Sequence, residues 1–250
     1  MRVGGNTVLI TGGATGIGLA LASEFMAAGS EVIVCGRRQW KLEEAKLRLP
    51  GLHTRSCDLS VEKERWSLFD WVTSSFEKAN ILVNNAGVQR MIDLRNGETE
   101  LHAGDDEVEI NLRAYIHLAS LFTPVFMERD EAAIVNVSSA LGFVPIAVMP
   151  VYCATKAAVH IYTVSLRHQL RDTQVRVFEL IPPTVDTELD RGARVRRGQA
   201  ERGIPPEVVA RAAIEGIARG DPEIVVGEAS RLRNASPDAF TKIFDGMNRW

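Results

Sequence analysis

The sequence predicts an α/β protein in which helices flank one doubly wound parallel sheet, in a single domain that spans residues 1–250. Short, nearly continuous apolar runs alternate along the chain with segments of helical periodicity. Strands that are apolar on both faces are typical of parallel sheets covered by helices. The length suits one large α/β domain, and neither an internal repeat nor a low-complexity segment divides the chain.

Seven strands are expected, at residues 7–11, 31–35, 52–56, 80–84, 132–137, 174–181 and 223–226. Helices are expected from residue 16 to the C-cap Gly29, at 39–49, 61–76, 106–127 and 152–170, from Pro205-Pro206 onward, and at 237–250. A polar stretch at residues 89–105 carries no clear pattern. The alternation of strands and helices is what predicts the doubly wound sheet.

Composition and charge exclude several classes of protein. With 29 Lys+Arg against 32 Asp+Glu and no basic tract, the chain lacks the cation density of a nucleic-acid binder. The three cysteines show no CxxC spacing and the five histidines no HExxH pattern, so we expect neither a disulfide framework nor a metal site. Two uncharged windows, residues 3–23 and 132–155, are interrupted by glycines or prolines, which predicts no membrane segment and a cytoplasmic protein.

A glycine-rich turn lies between the first strand and the first helix. Residues 11–18 read TGGATGIG, which is the spacing TGxxxGxG rather than GxGxxG. Glycines let the backbone approach a pyrophosphate, and the following helix N-terminus offers N–H groups and a positive dipole to it. An ordinary glycine turn is the alternative. The position at the first strand-to-helix junction favours a Rossmann-type nucleotide site.

The end of the second strand indicates which dinucleotide is bound. NAD sites place Asp or Glu there for the ribose hydroxyls, whereas an arginine accommodates the 2′-phosphate of NADP. The sequence has Gly36 followed by Arg37 and Arg38, with no carboxylate. We therefore predict NADP(H) over NAD(H), the alternative being that both arginines are only solvated at a helix start.

Tyr152 and Lys156 stand four residues apart on a predicted helix, and hence on one face of it. A nearby ammonium group favours the phenolate and lowers the pKa of a tyrosine toward neutrality. Tyr152 is thus a candidate general acid and base. Taken alone, such a pair is a weak signal, because most pairs of this kind are simply residues on a helix surface.

Together with the glycine turn, these residues resemble the short-chain dehydrogenase/reductases, in the branch that matches this chain in length, over residues 5–230. The matching elements are TGxxxGxG at 11–18, Asp58, Asn84-Asn85-Ala86-Gly87, Asn111, Ser139 and Tyr152-x-x-x-Lys156. Further motifs, PPTVDT at 182–187, NNAGVQ at 84–89 and VYCATK at 151–156, are similar to a bacterial subgroup named after the teichoic-acid D-alanylation operon.

The resemblance implies catalytic roles for four residues: Asn111, Ser139, Tyr152 and Lys156. Tyrosine exchanges a proton with the substrate oxygen, lysine contacts the nicotinamide ribose and lowers the tyrosine pKa, serine bonds the substrate oxygen, and asparagine holds a relay water. Ser139 fits the family's Ser-x-x-Gly, thirteen residues before Tyr152, and Ser138 remains an alternative.

The predicted cofactor contacts are Gly12, Thr15, Gly16, Ile17, Gly18, Arg37, Arg38, Asp58, Leu59, Asn85, Ala86, Gly87, Tyr152, Lys156, Pro182, Val185 and Thr187. The family usually has Pro-Gly where this chain has Pro182-Pro183, while Thr187 keeps the place of the residue that contacts the carboxamide.

The expected function is that of an NADP(H)-dependent oxidoreductase acting on a small carbonyl or secondary alcohol. The alternatives are an NAD(H)-using enzyme, a non-catalytic nucleotide-sensing protein, or a dehydratase or epimerase. Residues 188–204 correspond to a mobile substrate loop, where five arginines could select an anionic substrate or be merely solvated. The resemblance also implies a homodimer or homotetramer that pairs through the helices at 106–127 and 152–170.

Overall fold

A computed structural model of the chain describes residues 1–189 and 203–249. Its centre is a seven-stranded sheet of order β3-β2-β1-β4-β5-β6-β7, in which the described strand pairs are parallel. The strands are β1 Thr7–Thr11, β2 Glu31–Gly36, β3 His53–Ser56, β4 Ala79–Asn84, β5 Ala132–Val137, β6 Val175–Ile181 and β7 Glu223–Val225. The predicted fold class is confirmed, and the seven strand positions agree to within about a residue at each end.

Helices cover both faces of this sheet. They are α1 Gly16–Ala27, α2 Gln39–Arg48, α3 Glu62–Ser75, α4 Glu98–His102, α5 Ala114–Met127, α6 Pro150–Gln169, α7 Pro206–Arg219, α8 Ala229–Arg233 and α9 Pro237–Met247. None of the helices in the described part of the chain is long and apolar enough to cross a membrane.

The core forms two layers, one on each face of the sheet. In β1, Val8 and Ile10 pack with Phe25 of α1, whereas Leu9 between them packs with Phe122 of α5 on the opposite face. Successive side chains of a strand point to opposite faces, so a sheet covered on both sides needs apolar residues at every position. This explains why central strands such as β1 and β2 read as nearly continuous apolar runs, whereas the edge strand β3, with the sequence HTRS, does not.

The chain leaves β1 toward β2 and β3 on one side, and returns at β4 to build the other side. The strand order therefore reverses between β1 and β4. In open parallel sheets, such a reversal leaves a crevice beyond the carboxyl ends of the strands.

Two segments differ from the expectation. The patternless stretch at 89–105 contains a 3₁₀ turn, Leu94–Asn96, and the short helix α4. The helix expected at 106–127 is not uniformly α-helical, because Glu109–Arg113 forms a π-helical turn ahead of α5. The predicted substrate loop lies mostly outside the described residues, and so do its arginines, Arg191, Arg194, Arg196, Arg197 and Arg202.

Candidate active site

A cleft of about 610 Å³ opens at the carboxyl ends of the central strands. Fifteen of the residues predicted to bind cofactor or substrate line it: Gly12, Thr15, Gly16, Ile17, Arg37, Arg38, Asp58, Leu59, Asn85, Ala86, Gly87, Tyr152, Lys156, Pro182 and Thr187. The glycine turn and the Tyr–Lys pair, which are far apart in sequence, thus share one cavity.

The glycine turn needs its glycines for two different reasons. Gly12 and Gly16 have φ of 64° and 54°, a region in which side chains other than hydrogen are strained. Gly18 does not line the cleft; a Cβ there would lie 2.5 Å from the carbonyl oxygen of Gly12. Gly18 instead allows α1 to pack directly against the turn.

The start of α1 is suited to an anion. Thr15 precedes the helix, but its side chain makes no capping hydrogen bond, and the first turn carries no acidic residue. The first N–H groups and the positive end of the helix dipole therefore remain available to a ligand in the cleft. A pyrophosphate fits this arrangement, and with it a dinucleotide cofactor.

Thr11 joins this turn to the loop after β4. Its hydroxyl oxygen accepts hydrogen bonds from the backbone N–H groups of Asn85 and Ala86, at 2.9 and 3.0 Å. Asn85 Nδ2 donates in return to the carbonyl of Thr11, at 2.9 Å. The two walls of the predicted cofactor site are thereby held together.

Lys156 is buried beside Tyr152. Its ammonium group donates to the carbonyl oxygen of Val137, at 2.8 Å, and to the hydroxyl of Tyr115, at 3.4 Å, and lies 5.9 Å from the ring centre of Tyr152. Burial lowers the pKa of Lys156 to about 7, because desolvation disfavours the charged form. A proton can therefore enter and leave this amine near neutral pH.

Tyr115 is a site residue that the sequence did not reveal. Its hydroxyl donates to the carbonyl oxygen of Ala86, at 2.9 Å. Burial, and secondarily the nearby Tyr152, hold the pKa of Tyr115 well above its usual value. Tyr115 consequently stays protonated and serves as a fixed neighbour of Lys156.

Asn111 is fully buried in the π-helical turn and does not line the cleft. Its amide accepts from Val88 N, at 2.8 Å, and donates to Val88 O, at 2.9 Å, and to Thr155 Oγ1, at 3.2 Å. Asn111 therefore ties the long helix to the loop after β4 and to α6. π-helical turns of this kind recur at functional sites.

The two candidate serines differ in their hydrogen bonds. Ser139 does not line the cleft; its Oγ accepts from Leu141 N, at 3.1 Å, and so caps the 3₁₀ turn Ala140–Gly142. Ser138 lines the cleft, but its hydroxyl donates to Glu179 Oε1, at 2.6 Å. A hydroxyl has one proton to donate, so that of Ser138 is already committed to a buried carboxylate.

Both arginines of the predicted NADP signature face carboxylates. Arg37 makes a two-pronged pair with Asp105, at 2.6 and 2.8 Å, while Arg38 and Lys41 share Glu188, at 2.9 and 3.2 Å. The hydrogen bonds from Arg37 lower the pKa of Asp105. The sequence revealed neither the Asp105 contact nor the position of Lys41 in this cleft.

Arg90 explains why Asp105 reaches the cleft. Its guanidinium donates to the carbonyl oxygens of Glu100, Leu101 and Asp105, at 2.7 to 3.1 Å, which folds this segment back toward β2. The backbone N–H of Arg90 donates to the buried Glu107, whose pKa burial raises to about 7. No local sequence pattern reveals such a connection between an arginine and distant carbonyls.

An apolar cluster surrounds Tyr152. It contains Ile146, Met149, Cys153, Met91, Leu141, Val148 and Met247. Asn248 accepts a hydrogen bond from Ala147 N, at 2.6 Å, and so fixes the end of α9 against this cluster. Burial raises the pKa of the Cys153 thiol, which favours its unreactive protonated form.

Val185, a predicted cofactor contact, does not line the cleft. It is 8% exposed, packs in the core, and forms an isolated parallel bridge with Ile204.

One group of described residues, a histidine and two glutamates, lies close enough together to bind a metal ion. Donor atoms of His160, Glu179 and Glu223 all lie within 4.8 Å of one another. Glu179 also accepts from Ser138, and Glu223 pairs with Arg233, at 3.0 Å. Protein groups thus already provide partners for both carboxylates.

Fold and cleft together define the class, a doubly wound α/β protein whose cleft suits a dinucleotide. A family model described as short chain dehydrogenase matches residues 6–197, and the chain belongs to that family. This finding confirms the family predicted from the motifs.

A curated relative supports the family assignment, and two solved structures share the fold. The chain is 46% identical, over 99% of its length and 98% of the relative's, to "Uncharacterized oxidoreductase DltE" of Bacillus subtilis. Its fold matches a short-chain dehydrogenase/reductase from Burkholderia phymatum in complex with NAD, at TM-score 0.84 and 22% identity, covering 97% of this chain and 96% of that one. It also matches a short-chain dehydrogenase from Burkholderia cenocepacia in complex with NADP, at TM-score 0.83 and 23% identity, covering 98% and 99%.

Proposed function

We propose that this protein is an NADP(H)-dependent oxidoreductase that transfers a hydride between nicotinamide and a carbonyl or secondary alcohol, with Tyr152 as general acid and base. The observation that carries the proposal is the presence of Tyr152 and Lys156 in the same cleft as the glycine turn. When bound, NADPH supplies the hydride.

In the direction of reduction, Tyr152 donates its phenolic proton to the substrate oxygen, and the developing phenolate is stabilised by the Lys156 ammonium. A lysine whose pKa lies at about 7 can then return a proton to the tyrosine at neutral pH. The Tyr115 and Val137 contacts hold the lysine in place for this exchange.

Ser139 is the better candidate to donate a hydrogen bond to the substrate oxygen. Its hydroxyl oxygen accepts from Leu141 N, an interaction that leaves the hydroxyl proton available. The proton of Ser138 is directed at Glu179 instead. Ser138 and not Ser139 lines the cleft, but the free hydroxyl proton supports Ser139 as the group that stabilises charge on the substrate oxygen.

The preference for NADP(H) rests on Arg37 and Arg38 in the cleft wall, with Lys41 as a third cation. The charged oxygens of a 2′-phosphate would replace the carboxylates as the hydrogen-bond partners of these three cations. Those same carboxylates, Asp105 and Glu188, reduce the net positive charge, which keeps NAD(H) as a second candidate. Direct measurement of the dissociation constants of NADPH and NADH decides between them, and an NADH affinity equal to or above that of NADPH contradicts the proposal.

The reaction itself is tested with Tyr152→Phe, which removes only the phenolic oxygen. We expect turnover of a ketone panel, followed through nicotinamide absorbance, to fall by at least about 10³-fold, while NADPH binding by fluorescence titration stays within about twofold. The wild-type enzyme is the reference for both measurements. Turnover that survives the substitution would rule out Tyr152 as acid and base.

A further inference from the structure

A buried carboxylate lies directly behind the serine loop and has no part in the reaction proposed above. Glu179 of β6 is 0% exposed, a placement that a charged side chain adopts only with partners. One oxygen accepts from Ser138 Oγ, at 2.6 Å, and the other lies 2.8 Å from His160 Nδ1. Both partners belong to elements that carry the candidate catalytic residues.

We propose that Glu179 and Ser138 form a positioning pair and that neither of the two residues contacts the substrate. The pair fixes the backbone at the end of β5, and with it the position of Ser139 and of the Val137 carbonyl that holds Lys156. The inference rests on the proposed function, because it assigns the acting neighbours as Ser139 and Lys156.

The position of Ser138 in the chain supports this role. The residue before it, Val137, gives its carbonyl oxygen to Lys156 Nζ, at 2.8 Å. The residue after it is Ser139, whose hydroxyl caps the following turn. A single side-chain hydrogen bond at Ser138 therefore fixes the backbone between two groups on which the reaction depends.

The second oxygen of Glu179 connects the pair to α6. His160 follows Tyr152 and Lys156 at intervals of four residues, so the three side chains lie along one face of that helix. By contacting both His160 and Ser138, Glu179 holds this face of α6 in register with the end of β5.

Two substitutions at Glu179 distinguish a role in positioning through hydrogen bonds from a role in packing alone. Gln can still accept from Ser138 and donate to a neutral His160, so Glu179→Gln keeps the geometry without the charge. Glu179→Val suits a strand but removes both contacts. Glu223→Gln is the matched control, because Glu223 belongs to the same cluster and does not contact Ser138 in the structure.

We measure kcat, KM and NADPH affinity for these variants and for Ser138→Ala and Ser139→Ala, together with hydrogen exchange of the peptide that spans residues 136–142. Glu179→Val and Ser138→Ala are expected to lower kcat by about 10- to 100-fold, with NADPH affinity within about twofold, because reacting groups are misplaced while the cofactor walls persist. Both variants should exchange faster over residues 136–142. Glu179→Gln and Glu223→Gln should stay within about threefold of the wild type in kcat.

Three results would overturn the positioning role. The first is wild-type kcat and exchange in Glu179→Val, and the second is a loss in Glu179→Gln as large as in Glu179→Val. The third is a kcat in Ser138→Ala as low as in Ser139→Ala with unchanged exchange, which would make Ser138 the substrate contact. If the wild type reduces no carbonyl compound, the proposed function fails, and the exchange data still decide the positioning pair.

Discussion

At the scale of single residues, the burial of Lys156 has a measurable energetic cost. Its pKa is about 7 in the folded chain, against 10.5 for an unperturbed lysine. Below pH 7 both states bind the proton, and the folded state carries the full desolvation penalty. Between pH 7 and 10.5 the unfolded state binds more protons, so this penalty shrinks as the pH rises and is gone above the unfolded pKa.

Lys156→Met should therefore stabilise the protein at neutral pH while abolishing turnover. The pKa difference corresponds to at most about 5 kcal/mol, and loss of the contacts to Val137 and Tyr115 offsets part of it, which leaves a gain of about 2 kcal/mol. Urea unfolding at pH 7 and pH 10 checks this expectation. The advantage of the variant over the wild type must narrow at pH 10; a constant difference would show that burial of the charge is not the cause.

Arg65 and Arg113 show how burial changes the contribution of an ion pair to stability. Its guanidinium is 1% exposed and contacts Glu109, at 2.7 Å, the carbonyl of Leu59 and His117 Nδ1, at 3.0 Å. Arg113 pairs with the same Glu109, at 2.9 Å, but is 68% exposed. Two arginines thus share one carboxylate at very different burial.

Arg65→Leu is expected to lower the free energy of unfolding by about 2–4 kcal/mol, because buried acceptors lose their donor. Arg113→Leu, the matched control, should cost less than about 0.5 kcal/mol, as exposed pairs generally do. Chemical denaturation of both variants provides the comparison. Equal losses would refute the assignment of Arg65 as the buried connection among α3, the Leu59 loop and the π-helical turn.

At the scale of elements, two helical glycines have opposite consequences. Gly18 stands in the first turn of α1, where a Cβ would lie 2.5 Å from Gly12 O and 2.6 Å from Asn85 Nδ2. Gly246 lies near the end of α9, with nothing within 4 Å of such a Cβ and no positive φ. The first glycine is required for packing, whereas the second only loses entropy on folding.

Gly18→Ala should destabilise the protein by about 1–3 kcal/mol and weaken nucleotide binding, because α1 must move away from the turn. Gly246→Ala should be neutral or stabilising by up to about 1 kcal/mol. Thermal unfolding with and without NADPH reports both effects. A Gly18→Ala variant with unchanged melting and unchanged NADPH shift would contradict the close packing at this position.

The elements also show what a sequence can and cannot predict. The strands and the glycine turn could be predicted because each leaves a local sequence pattern, as residues 7–18 show. Burial on both faces of the sheet requires an apolar run, and the tight turn requires glycines at fixed spacing. The position of the segment that carries Asp105 could not be predicted. Arg90 holds this segment by donating to backbone carbonyl oxygens, and because every residue has one, the sequence does not mark which of them are contacted. Glu179 escaped prediction for a related reason, because a lone carboxylate in an apolar strand does not reveal its partners, Ser138 after β5 and His160 on α6.

At the scale of the whole molecule, two helices present apolar surface to solvent. Ile116 and Met127 on α5 are 40% and 45% exposed, and Ile161 and Val164 on α6 are 64% and 43% exposed. Large apolar side chains that stay exposed on a helix are candidates for burial in an association surface. Resemblance to the family led to the same two helices as the expected contact between subunits.

We therefore expect the protein to be a homodimer or homotetramer in solution, held by an interface that includes these helices. A stable contact buries about 800 Å² per subunit, and a charge at its centre must be desolvated without a partner. Ile161→Glu should consequently reduce the mass measured by sedimentation velocity to that of a smaller species. Leu47→Glu on α2, where the leucine is 83% exposed, is the control that should leave the mass unchanged. A monomeric wild type, or an Ile161→Glu variant of unaltered mass, would place the subunit contact elsewhere or exclude it.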